Sequence, residues 1–161
     1  MTEIAICVET TVDDFEAVRD LKGVLVVEDE QLNRMVMQAK LCGVKKLTGC
    51  DAELVFVPTA EEGLALVSAN MHRFGLLLVD EDLLHDGVAG MLGSDMIRAA
   101  RSLGYDGTVI SVSGNCMPAD SEKYKCAGAN LTWPKPYPSP LEMARSISSS
   151  ASAGFASRGS E

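Results

Sequence analysis

The chain has 161 residues and a formal net charge of −9, with 47% apolar and 23% charged residues. That is ordinary globular composition at a length able to build one self-sufficient core, and the acidic balance argues against a nucleic-acid partner, which needs clustered Lys and Arg. The five cysteines, Cys7, Cys42, Cys50, Cys116 and Cys126, are odd in number and form no C-x-x-C pair, so neither a disulfide framework nor a zinc site is indicated. Met1-Thr2-Glu3 opens no signal peptide and no apolar run approaches a membrane span, so a cytoplasmic protein without membrane insertion is expected.

Residues 1–21 read as an N-terminal extension or linker, with an apolar patch Ile4-Ala5-Ile6-Cys7-Val8 and a short helix over 12–19. Val24 to Val27 is the first strand, and Leu32, Met35, Val36 and Ala39 follow at helical spacing. Leu54 to Val57 is the second strand, ended by Pro58. Thr59-Ala60-Glu61-Glu62 has the form of a capping box and opens a helix carrying Leu64, Ala65 and Val67. Leu76 to Val79 is a continuous apolar run, as in a strand buried on both faces. A Gly-rich loop precedes a helix marked by Met96, Ile97 and Ala100. Thr108 to Val112 is the fourth strand, Asp120 to Ala127 a short helix, and Asn130 to Trp133 the fifth strand. Ser139-Pro140-Leu141-Glu142 supplies an N-cap, a proline at the first helical position and a box Glu, with Leu141, Ala144 and Ile147 toward the sheet. The Ser/Ala/Gly-rich stretch 149–161 is expected to be a disordered tail. Five strand–helix units make an α/β, doubly wound parallel sheet over residues 22–148.

In such a sheet the carboxyl ends of the strands hold the ligand. The first strand ends in Glu28-Asp29, the third in Asp80, the fourth in Ser113 and the fifth in Lys135. Carboxylates gathered there raise one another's pKa and call for a cation. Mg²⁺, an oxygen-seeking ion that keeps waters and phosphate oxygens as ligands, suits them. Each residue has a plainer reading beside this one: a solvated N-cap pair for Glu28-Asp29, turn chemistry for Ser113, a surface lysine for Lys135, and a bystander for His85.

Taken as an ordered set, the residues resemble a known family. Val24-Leu25-Val26-Val27-Glu28-Asp29 with Asn33-Arg34 is similar to the first strand and helix of response-regulator receiver domains. Leu76-Leu77-Leu78-Val79-Asp80 is similar to their phosphoacceptor strand, Val109-Ile110-Ser111-Val112-Ser113-Gly114 to the switch-hydroxyl strand, and Lys135-Pro136 to the final Lys-Pro pair. The resemblance covers about residues 22–148. It implies a CheY-like, flavodoxin-like (βα)5 fold of strand order 2-1-3-4-5 that takes a phosphoryl group from phosphohistidine onto Asp80. Glu28, Asp29, Asp80 and the main-chain carbonyl of Asp82 would hold Mg²⁺, Lys135 would pair with Asp80, and Ser113 would meet the phosphoryl group. A cis Lys135-Pro136 bond is implied as well. The partner would be a histidine kinase or a histidine phosphotransfer domain. Asn33-Arg34 and Ser113-Gly114-Asn115 resemble the receivers of hybrid histidine kinases, and little chain remains for an output domain, so a stand-alone or hybrid-kinase receiver is expected. Departures from the pattern are the long loop 81–93, with Leu84 in place of a proline, the extra carboxylate of Asp82, and Thr132 at the site of a switch aromatic. Two rivals stand beside this reading. One is a pseudo-receiver acting as a protein-binding scaffold, and the other a haloacid-dehalogenase-type phosphatase, which would need an acidic pair after Lys135.

Overall fold

A computed structural model describes residues 12–85, 87–114 and 117–156; the apolar patch at Ile4–Val8, Asn115 and the last five positions of the expected tail lie outside the described residues. The five apolar runs form strands β1 (Gly23–Val27), β2 (Glu53–Val57), β3 (Leu76–Asp80), β6 (Thr108–Ser113) and β7 (Leu131–Pro134). They make one sheet in the order β2-β1-β3-β6-β7, with every pairing parallel. The expected order 2-1-3-4-5 is therefore present, counted without two short strands that the sequence did not suggest. These are β4 (Leu84–His85) and β5 (Val88–Ala89), an antiparallel hairpin inside the long loop.

Buried strands alternate their side chains between two cores. Val24, Val26, Leu76, Leu78, Ile110 and Val112 point to one face, where they meet helices α1 (Glu16–Arg19), α2 (Gln31–Thr48) and α6 (Pro140–Ala156). Leu25, Val27, Leu77, Val79 and Val109 point to the other, beneath α3 (Ala60–Ala69), α4 (Gly93–Ser102) and α5 (Pro118–Ala127). The period of two in a strand requires this split, and covering both faces explains why the runs are apolar without a break. Each fully buried Leu or Ile side chain contributes about 1.5–3 kcal/mol to the assembly.

Both expected helix starts are capped, but only Ser139 and Glu142 complete the reciprocal box, since the Glu62 carboxylate takes the Thr59 hydroxyl instead of its amide. Thr59 Oγ1 accepts from the Glu62 amide, and Ser139 and Glu142 exchange bonds between side chain and main chain in both directions. The face of α2 differs from its apolar signal. Leu32 and Met35 are 63% and 59% exposed, and Val36 is also on the surface, while Met37, Leu41, Val44 and Thr48 form the buried stripe. The helical period was read correctly from the apolar residues, but a surface patch and a core stripe share it.

At both ends the folded body exceeds residues 22–148. A 3-10 turn at Val12–Phe15 runs into α1, and Phe15 and Val18 are buried in the core beside α6. Helix α6 continues to Ala156, through much of the stretch expected to lack structure; Ser150 is buried and the Ser148 hydroxyl donates to the Asp14 carbonyl. Ser and Ala are adequate helix formers once a packed first half has nucleated the helix. Phe15→Ala is expected to lower the unfolding free energy by about 3–5 kcal/mol. Denaturant titration measures this, and a silent substitution would mean that the segment is a linker rather than part of the core.

Candidate functional site

Parallel pairing sets Val27 beside Val79, so the next residues of β1 and β3 leave the sheet together at its carboxyl end. One carboxylate oxygen each from Glu28, Asp29 and Asp80 converge there, the three within 4.8 Å of one another. Glu28 and Asp80 are almost fully buried, at 3% and 6% exposure. Lys135 follows the end of β7 directly, and the bond after it, to Pro136, is cis as the resemblance implied. Its main-chain amide donates to the Ser113 carbonyl, which fixes the loop to the end of β6. Its ammonium donates to Glu28 Oε2 at 2.9 Å and to Asp80 Oδ2 at 3.0 Å.

Each carboxylate is held in place by further donors. Glu28 accepts from the Glu30 amide, from Asn33 and from the Tyr137 hydroxyl. Arg34 braces the same corner by donating to the carbonyls of Glu28 and Asp29. Asp80 Oδ1 accepts from the Glu81 amide, and Asp29 Oδ2 accepts from the Leu84 amide at the base of the hairpin. Burial, and next the charge of Glu28, push the Asp80 pKa up to about 6 against the opposing pull of Lys135. Burial works against the charge on Lys135, yet its bonds to Glu28 and Asp80 outweigh that and raise its pKa. The Tyr137 hydroxyl is likewise raised, by burial and then by Glu28, so it stays a donor. One ammonium thus faces three carboxylates, and Asp80 still carries an uncompensated cost. A donor set of oxygens only, with unmet negative charge, fits a hard divalent cation such as Mg²⁺.

Of the residues picked from the sequence, Glu28, Asp29, Asp80 and Lys135 meet directly. Ser113 is buried at the end of β6, with its hydroxyl 3.1 Å from the Tyr124 hydroxyl. The Asp82 side chain is exposed and lies outside the carboxylate group. Residues that sequence reasoning passed over complete the surroundings. Glu81 is buried, accepts from the amide and hydroxyl of Ser94, and forms an ion pair with Lys123 of α5. Gly93 allows this closure, since a Cβ there would lie 2.0 Å from the Asp80 carbonyl oxygen. The sequence signal for Glu81 is its place directly after the buried strand β3.

No family model matches the chain. Among solved structures, the receiver domain protein (CheY-like) of Methanospirillum hungatei JF-1 superposes with a TM-score of 0.66 at 24% identity, over 85% of this chain and 98% of that one. The receiver domain of sensor histidine kinase PA1611 from Pseudomonas aeruginosa PAO1, solved with a magnesium ion coordinated in its active-site cleft, also gives 0.66, at 21% identity over 81% and 98%. These likenesses establish the fold. A closer tie comes from the two-component response regulator ORR41 of Oryza sativa subsp. japonica, 31% identical over 121 residues that span 73% of this chain and 86% of that protein. With that identity over most of both chains, on top of the shared fold and the strand-end residues, the protein belongs to the response-regulator receiver family of two-component signalling.

Proposed function

We propose that Asp80 accepts a phosphoryl group from a phosphohistidine, and that the chain then changes conformation as a signalling switch. The observation that carries this is the buried Asp80 carboxylate bridged by Lys135 to Glu28. In the transfer, an Asp80 oxygen attacks phosphorus while the bond from phosphorus to the donor imidazole breaks, its electron pair leaving with the imidazole. Lys135 stands ready to follow charge from the carboxylate to a phosphoryl oxygen, and Glu28, held by Tyr137 and Asn33, keeps that ammonium in place. Ser113 would donate to the phosphoryl group. Glu28, Asp29 and Asp80, with the Asp82 carbonyl, would hold Mg²⁺, which neutralises charge as phosphoryl transfer proceeds.

The donor in this reading is a histidine kinase or a histidine phosphotransfer domain, and the place of action is the cytoplasm. Among the described residues no helix is long and apolar enough to cross a membrane, and the thiols of Cys42, Cys50 and Cys126 are free. A net charge of −9 gives no support to nucleic-acid binding.

Intact-protein mass after incubation with acetyl phosphate tests the proposal. A single phosphoryl adduct is expected that requires Mg²⁺ and disappears in Asp80→Ala. An adduct that persists without Asp80 would refute the assignment. No adduct, even from a phosphotransfer-domain donor, would make the chain a pseudo-receiver that works as a scaffold. The electrostatics yield a second expectation. The Asp80 pKa is raised in the folded state, so its ionised form opposes folding above about pH 6, and the opposition fades as pH falls through that value. At neutral pH this amounts to something on the order of 2–3 kcal/mol. In EDTA, Asp80→Asn should therefore raise the unfolding midpoint by about 4 °C or more. Lys135→Ala should lower it, because Glu28 and Asp80 then face each other without a cation. Thermal melts of the three proteins check both signs, and an Asp80→Asn variant no more stable than the parent would contradict this account.

A further inference from the structure

Thr132 occupies the β7 position at which the receiver pattern places a switch aromatic, and it pairs across the sheet with Ser111. An aromatic hydroxyl nevertheless reaches Ser113, and it comes from a helix. Tyr124 lies in α5 and is 3% exposed, and its hydroxyl is 3.1 Å from Ser113 Oγ inside the protein. The residue before it, Lys123, is ion-paired with Glu81, the neighbour of Asp80. Two successive side chains of α5 therefore hold the ends of neighbouring strands, Tyr124 at the end of β6 and Lys123 just beyond the end of β3.

We propose that Tyr124 is a positioning residue that couples Ser113 to α5, so that α5 carries the state of the pocket outward. This rests on the phosphoacceptor reading above. A serine hydroxyl has one proton. Once Ser113 gives that proton to a phosphoryl oxygen, its bond with Tyr124 survives only with Tyr124 as donor. If Ser113 moves toward the phosphoryl group, the tyrosine ring must follow, or a buried hydroxyl loses its partner, which is costly. The ring is fixed to the middle of a helix that starts at Pro118 and ends at Gly128 in a left-handed turn, so its displacement is passed to the helix as a whole. Lys123 works differently. Its side chain is 46% exposed and long enough to keep hold of Glu81 while α5 shifts. The tyrosine carries the movement and the lysine limits it.

Amide hydrogen exchange over residues 118–127 of the full chain, with Mg²⁺ and with or without beryllofluoride as phosphoryl mimic, tests the coupling; fluorine NMR reports binding of the mimic. In the parent protein the mimic should change exchange in α5 by about two- to tenfold, the range that one hydrogen bond's net contribution sets. Tyr124→Phe keeps the ring and its packing, and should bind the mimic while losing most of that response. Ser113→Ala should lose it too, and the double variant should lose no more than either single one, as expected of two residues acting as a unit. A Tyr124→Phe variant with an undiminished response, additive losses in the double variant, or an unresponsive α5 in a parent that binds the mimic would overturn the coupling alone. Failure of the parent to bind the mimic would overturn both the coupling and the phosphoacceptor reading beneath it.

Discussion

The Lys135 ammonium, shared between Glu28 and Asp80, is the contact on which the site depends. It joins the ends of three strands that lie far apart in the chain, and it does so where burial makes every charge expensive. Without a cation the two carboxylates would repel, and one would take up a proton. A single ammonium cannot satisfy three carboxylates, and Asp80 remains strained with its pKa near 6. That unmet negative charge is what fits the pocket to a hard divalent ion.

The sheet makes the contact possible. Parallel strands in the order β2-β1-β3-β6-β7 place β1 and β3 at its centre and deliver β6 and β7 alongside, all with carboxyl ends on one edge. Because both faces are covered by helices, the strands are rigid and the residues just beyond them are held to fixed positions. Stability and the candidate site are thus separated in space: the apolar runs build the first, and the polar residues at their ends build the second.

Much of this was legible in the sequence because it depends on short-range patterns. Uninterrupted apolar runs gave the buried strands, Thr59 with Glu62 and Ser139 with Glu142 gave two helix starts, and the strand-end rule selected Glu28, Asp29, Asp80, Ser113 and Lys135. What escaped notice depends on contacts between distant positions. Tyr137 follows the Lys-Pro pair closely, yet nothing local says that its hydroxyl reaches Glu28. Glu81 and Lys123 are 42 residues apart, and nothing local to Tyr124, inside the expected helix from Asp120 to Ala127, says that its hydroxyl meets Ser113. The exposed apolar face of α2 misled for a related reason. Periodicity reports that a stripe exists, but which stripe meets the core is settled by packing that no window of sequence contains.

The clamp between Glu81 and Ser94 bears on the loop that it closes. The segment between them leaves and returns at nearly the same point, closed by the Gly93 amide on the Glu81 carbonyl and by the two Ser94 bonds to the Glu81 carboxylate. The excursion touches the strand ends through the Leu84 amide, which donates to Asp29 Oδ2. Its length can drift at slight entropic penalty, about 0.6 kcal/mol for each doubling, and its tip at Gly87 already turns in open solvent with φ of 76°. A change of length confined to this tip would leave the Glu81–Ser94 closure in place, and with it the course of the chain just past Asp80.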